Sequence, residues 1–233
     1  MTRGVMLPGS IRVYVAAVDD HDATQLHMLE RAVLALDERA RGRRIIRPQS
    51  RHAHIVAHAL KRLALRELLG QAPKLTRDAR GKPMLDGQAL AFNLSHSDSH
   101  VAFVASGGAP VGVDIESLRL RVSLPHVMQA ALTGQERARV ASEYDQVRAF
   151  LIHWTAKEAY VKATGEGLGR PLASLALDAG GGALALSGSD VEPHELCCWS
   201  TPDYVLSACA LRPHGGQFSV EHVRCTASAL QAR

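Results

Sequence analysis

Apolar residues recur along this chain at two different spacings, and each change of spacing marks an element. Residues 11–18 (IRVYVAAV) form a β-branched apolar run closed by Asp19, Asp20 and His21, which predicts a first strand. Residues 22–36 then place Leu26, Leu29, Ala32, Val33 and Leu36 at helical intervals. A longer amphipathic helix is predicted over 51–69. Its apolar face carries Ile55, Val56, Ala59, Leu60, Leu63, Leu65 and Leu68, its basic face points outward, and Gly70 ends it. Turn formers, among them Gly81 and Pro83, make a loop of 72–87.

The apolar runs 90–94 and 101–105 read as strands separated by SHSDSH, and the breaker SGGAP (106–110) leads to another strand over 111–115. Helices are predicted over 124–132, 135–142 and 146–164, the last ended by Gly165, Gly167 and Gly169. Segments 172–177, 183–186, 196–200, 204–210 and 218–225 are strand-like. The order is one α+β unit followed by another, which divides the chain into an N-terminal lobe (1–109) and a C-terminal lobe (110–233).

A formal charge of +4 and a pI near 9.0 favour anionic ligands without choosing among nucleic acids, phosphate compounds and acidic proteins. The placement of the charge is more telling: Arg39, Arg41, Arg43, Arg44, Arg47 and Arg51 follow one another with no acidic residue among them. Aromatic residues are only 4% of the chain, too few for the stacking platforms of a single-strand nucleic-acid binder. Cys197, Cys198, Cys209 and Cys225 form no CxxC pair and read as buried thiols, not as a zinc site or a disulfide scaffold. The first residues are too polar for a signal peptide, and no run approaches the roughly 20 apolar residues of a membrane span. A cytoplasmic protein without membrane contact is the expectation.

Chemistry concentrates in three segments. In VGVDIE (111–116), strand alternation puts Asp114 and Glu116 side by side on one face. Two such carboxylates repel unless a cation lies between them, so the pair suits either a solvated edge strand or a hard-oxygen site for Mg2+. Across 150–168, Trp154, Lys157, Glu158, Val161 and Lys162 recur at helical spacing. Periodicity alone makes a surface ion pair of Glu158 and Lys162 and a core anchor of Trp154. In FNLSHS (92–97), Ser95 and His96 follow a strand end and point apart, an arrangement suited to phosphate hydrogen bonds and not to a hydrolase triad. For His96 a structural role fits equally well.

In the order GKP (81–83), FNLSH (92–96), VGVDIE (111–116) and WTAKEAYVKATGEGL (154–168), the chain resembles the 4′-phosphopantetheinyl transferases, of the surfactin-synthetase-activating type. The resemblance implies an α+β fold of two similar lobes related by a pseudo-two-fold. Each lobe would be a small, mainly antiparallel sheet with helices, with a ligand cleft between the two. It also implies transfer of 4′-phosphopantetheine from coenzyme A to a serine of an apo acyl or peptidyl carrier protein, releasing adenosine 3′,5′-bisphosphate. Asp114, Glu116 and Glu158 would surround Mg2+, with Mn2+ as an alternative. Glu158 would be the base, directly or through a metal-bound water, and Lys162, with Lys157, would neutralise charge on the phosphate. Arg41, Arg51, His52, Lys82, Ser95 and His96 match residues near the phosphates of coenzyme A. A monomer is implied, since one chain supplies both lobes. Two other readings compete. A basic nucleic-acid-binding module using 39–51 leaves the carboxylate strand unexplained. A non-catalytic coenzyme A- or partner-binding protein has Asp114, Glu116, Glu158 and Lys162 against it.

Overall fold

The computed structural model describes residues 6, 9–78, 81, 83–87, 90–119, 123–178, 184–212, 218–226 and 230. Its elements run β1 (Ser10–Ala17), α1 (Ala23–Ala32), α2 (Leu36–Gly42), α3 (Pro48–Leu69), β2 (Leu75–Arg77), β3 (Pro83–Leu85), β4 (Ala91–His96) and β5 (His100–Ser106). There follow β6 (Val111–Ser117), α4 (Leu124–Ala131), α5 (Gly134–Ser142), α6 (Gln146–Thr164), β7 (Ala176–Asp178), β8 (Ala185–Ser187), β9 (His194–Ser200), β10 (Tyr204–Leu211) and β11 (Ser219–Cys225). They sort into two units, 1–108 with 219–233, and 109–218.

The first unit is built on a four-stranded sheet in the order β11-β1-β5-β4, antiparallel except where β11 runs parallel to β1. Helix α3 begins with Pro48, whose missing N–H costs nothing in a first turn, and ends at Gly70 in the left-handed region (φ 68°). Its apolar stripe, Ile55, Val56, Ala59, Leu60 and Leu63, is buried in one core with Tyr14, Ala16, Val101, Phe103 and Ala105 of the sheet. Burial of this contiguous apolar surface is the main driving force for the unit.

The second unit holds the antiparallel sheet β6-β10-β9. Helix α6 lies on it, started by Asp145, whose side chain accepts from Arg148 N at 3.0 Å, and stopped by Gly165 (φ 75°). Ala159, Tyr160 and Ala163 of α6 pack in one core with Leu196 and Cys209, while Phe150 and Leu151 pack with Val205 and with Leu132 beyond α4.

This is the expected α+β architecture of small, mainly antiparallel sheets with helices. Several local expectations need correction. The loop 72–87 contains a short hairpin, β2 with β3. The segment 172–177 starts as a 3-10 turn, Leu172–Ser174, and only then becomes β7. The last strand, assigned by order to the C-terminal lobe, pairs with β1 in the first unit, because its partner is 209 residues away and leaves no local signal (Ser10 opposite Ser219). Cys209 and Cys225 are buried thiols, whereas Cys197 and Cys198 are half-buried. Among the described residues, no helix is long and apolar enough to cross a membrane.

Candidate active site

Strand β6 alternates between two environments. Val111, Val113 and Ile115 enter the core, and Gly112, Asp114 and Glu116 occupy the other face. Gly112 explains how closely α6 approaches that face. A Cβ at this position would sit inside contact distance of Ala159 O and Ala163 N and 2.9 Å from Lys162 Cβ. Only glycine permits this approach, and through it Lys162 Nζ donates to Asp114 Oδ1 at 2.6 Å and to Val113 O at 3.3 Å. Asp114 is buried, and the Lys162 side chain is 28% exposed, so the pair faces partly into solvent.

The remaining carboxylates feel this pair. Burial pushes Glu116 up to about 7, the negative charge of Asp114 adds to the rise and Glu158 adds least, while Lys162 and a hydrogen bond from Trp154 pull the other way. Glu158 is also raised, first by burial and then by Asp114, against the pull of Lys162. Three acids from β6 and α6 therefore share one electrostatic neighbourhood with one lysine. As the side chains stand, no three His, Cys, Asp or Glu groups among the described residues enclose a metal ion. The site offers a hard-oxygen donor set, a carboxyl able to take a proton and a cation able to meet a phosphate oxygen.

Lys157 contradicts its predicted role. It is fully buried and donates to Glu136 Oε2 at 2.6 Å and to Ala131 O at 2.9 Å, so it is turned away from any phosphate. Glu136 receives it as the N3 residue of α5, with Thr133 N at 2.8 Å, Leu177 N at 2.7 Å and His153 Nδ1 at 3.2 Å on the same carboxylate. Burial works against this charge, but the four donors outweigh it and hold Glu136 far below the ordinary carboxylate range. Opposite Asp114 in the sheet, Ser207 bonds to Thr155 of α6 at 2.8 Å, both fully buried.

The other predicted contacts belong to the first unit. Arg41 lies on α2 and donates through Nη2 to Asp37 at 2.6 Å, and Arg51 reaches Glu30 at 3.3 Å. His52 is half-buried on α3, while on β4 Ser95 is buried and His96 exposed. Lys82 lies outside the described residues. The sequence reading missed a buried hub in this unit. Glu38 of α2 accepts from Ala35 N at 2.9 Å, His58 Nδ1 at 3.1 Å, Lys61 Nζ at 2.6 Å and Arg62 Nε. Lys61 is 1% exposed, which corrects the expectation of an outward basic face on α3. The available signal was the capping-box spacing Thr133 to Glu136 in the second unit; in the first, Ala35 has no side-chain acceptor and only Glu38 reaches back to the N-cap backbone.

A strand bearing paired carboxylates, backed by a helix that supplies a third acid and a lysine, forms one cluster of hard-oxygen donors beside a cation. The comparisons give that cluster its family. Residues 110–209 match the 4′-phosphopantetheinyl transferase superfamily. The chain is 32% identical to a 4′-phosphopantetheinyl transferase (HetI) of Nostoc over 65% of its own length and 67% of that protein's. It is 34% identical to a putative 4′-phosphopantetheinyl transferase of Synechocystis over 59% of either chain. Among solved structures, a holo-(acyl-carrier-protein) synthase from Bacillus anthracis in complex with CoA (3′,5′-ADP) aligns at TM-score 0.40 and 23% identity, over 44% of this chain and 94% of that one. The chain belongs to the 4′-phosphopantetheinyl transferase superfamily.

Proposed function

We propose that this protein transfers the 4′-phosphopantetheine arm of coenzyme A to a serine of an apo acyl or peptidyl carrier protein. The observation that carries the reading is the meeting of Asp114, Glu116, Glu158 and Lys162 where β6 packs on α6, inside the segment that matches the family.

Glu158 is the base. Its raised carboxyl is better matched to a neutral-pH proton transfer than an ordinary glutamate, and it takes the proton of the carrier serine hydroxyl. The serine oxygen bonds to the β-phosphorus on the pantetheine side. The bond from that phosphorus to the bridging oxygen breaks, and the electron pair leaves with adenosine 3′,5′-bisphosphate. Lys162 meets the negative charge that grows on the phosphate oxygens in the transition state. The donor set fits a hard divalent cation, because three acids share a single lysine and the negative charge of Asp114 helps to raise both Glu116 and Glu158. Asp114, Glu116 and Glu158 would hold Mg2+ or Mn2+, which when bound clamps the diphosphate and neutralises its charge. Arg41, Arg51, His52, Ser95 and His96 supply contacts for the phosphates of coenzyme A, with Arg41 assigned to the 3′-phosphate. The protein acts as a monomer.

The test incubates the protein with coenzyme A, Mg2+ and apo carrier domains from peptide, polyketide and fatty-acid synthases, then weighs the carriers. A mass gain of one phosphopantetheine arm is expected, and no gain on any carrier overturns the reading. Asp114→Ala should lower the transfer rate at least on the order of a hundredfold while leaving the melting transition in place, since it removes a metal ligand and the partner of Lys162. Near-normal turnover would remove Asp114 from the site.

A further inference from the structure

Helix α2 is held in an unusual way. Its only buried residues are Glu38 and Gly42, while Leu36 is 80% exposed, so no apolar face fixes it to the unit. Seven residues form about two turns, too short to be stable alone. Contact with α3 comes from two features. Gly42 lies so close to His54 that a Cβ would stand 2.9 Å from His54 Cδ2. Glu38 is bound by Lys61, Arg62 and His58 of α3, and His54 Nε2 lies 2.9 Å from Glu38 O. Arg41 follows Glu38 by three residues on the same short helix. Its Nη2 is taken by Asp37, but its Nε is buried without a hydrogen-bond partner among the described residues. The side chain as a whole is 38% exposed, so the guanidinium remains open to an anion.

We infer that Glu38 is a positioning residue for the anionic co-substrate: its buried carboxylate fixes α2 on α3 and so sets the place of the Arg41 guanidinium. The inference rests on the proposed coenzyme A site and on Arg41 as the group that meets the 3′-phosphate. Rigid placement matters because a guanidinium discriminates an anion only when its donors are already aimed. Arg62 and Lys61 serve to hold Glu38 and touch no ligand.

The test measures affinity, so it does not depend on transfer. The full-length protein and its Glu38→Gln variant are titrated by calorimetry with coenzyme A and with 3′-dephospho-coenzyme A. The wild type should bind coenzyme A more tightly than the dephospho form. Glu38→Gln should weaken coenzyme A by about tenfold, the worth of one charge-assisted hydrogen bond, and leave the dephospho form within twofold. Arg62→Gln, at a side chain 20% exposed and therefore safer for folding, should act in the same direction with a smaller shift. Equal weakening of both ligands in the variants, or no preference between them in the wild type, overturns the positioning role. If the preference collapses as expected while the wild type modifies no carrier, the positioning role stands and the transfer reading falls.

Discussion

In the first unit Lys61 of α3 reaches Glu38 of α2 at 2.6 Å, and in the second Lys157 of α6 reaches Glu136 of α5 at the same distance. Each glutamate is the N3 residue of a short helix, and each also receives a histidine from the preceding turn of the long helix, His58 or His153. The residue after the lysine separates the two. In the first unit it is Arg62, another cation on the hub. In the second it is Glu158, which turns toward Asp114 and Glu116. One anchoring device therefore serves two ends: the first unit turns the neighbouring position, Arg62, back onto the hub, while the second uses that position to present an acid. Buried ion pairs are costly to desolvate, so their retention in both units argues for a fixed helix placement more than for raw stability.

The comparison breaks most sharply at the lysines. Lys157→Met leaves Glu136 buried with His153 and two backbone N–H groups, and should cost about 4 kcal/mol in a denaturant titration. Lys61→Met should cost roughly half as much, because Arg62 remains on Glu38. Equal costs would mean that Arg62 does not share the load. Gly112→Ala sharpens the contrast from the other side. The added Cβ forces β6 and α6 apart, so about 3 kcal/mol of stability and most of the transfer rate should be lost together. A stable and fully active variant would show that close approach is not what aims Lys162 at Asp114.

A more gradual effect is one of pH. Burial, with the charges of Lys61 and His54, lowers His58 from 6.5 to about 4 against the pull of Glu38. Geometry agrees with this direction: His58 Nδ1 lies 2.9 Å from the Lys61 ammonium, a like charge that opposes protonation, and 3.1 Å from Glu38. A depressed histidine takes up its proton in the unfolded chain first. Stability should therefore fall as pH drops from 6.5 toward about 4, by at most about 3 kcal/mol, and change no further through this group below that. Glu38 is itself held far below the ordinary carboxylate range, despite its burial, by His58, Arg62 and Lys61, so its own loss comes only at lower pH. His58→Gln should flatten the slope in that window; an unchanged slope would assign it to other groups.

Much of this was legible in the sequence because the signals are local. Alternation in 111–116 put Asp114 and Glu116 on one face, and glycine stops marked the ends of α3 and α6. The hidden features were those in which tertiary contact overrides local character. Lys61 and Lys157 look like surface residues until a buried carboxylate on another helix captures them. Helix α2 lies in a stretch of arginines with no apolar stripe, so periodicity could not find it. Leu75–Arg77 and Pro83–Leu85 are too short for a period of two to register, and only their mutual pairing makes them strands.

The pairing of β11 with β1 makes the second unit an insertion in the first. On the ribosome, residues 109–218 emerge and can close their own core while their host still lacks one border of its sheet. Until Ser219–Cys225 arrives, the backbone edge of β1 is open to adhesion by other chains. Vectorial synthesis thus finishes last the unit it began first, and a protease cut that frees β11 strips the host and leaves the guest's hydrogen-bonded strands whole.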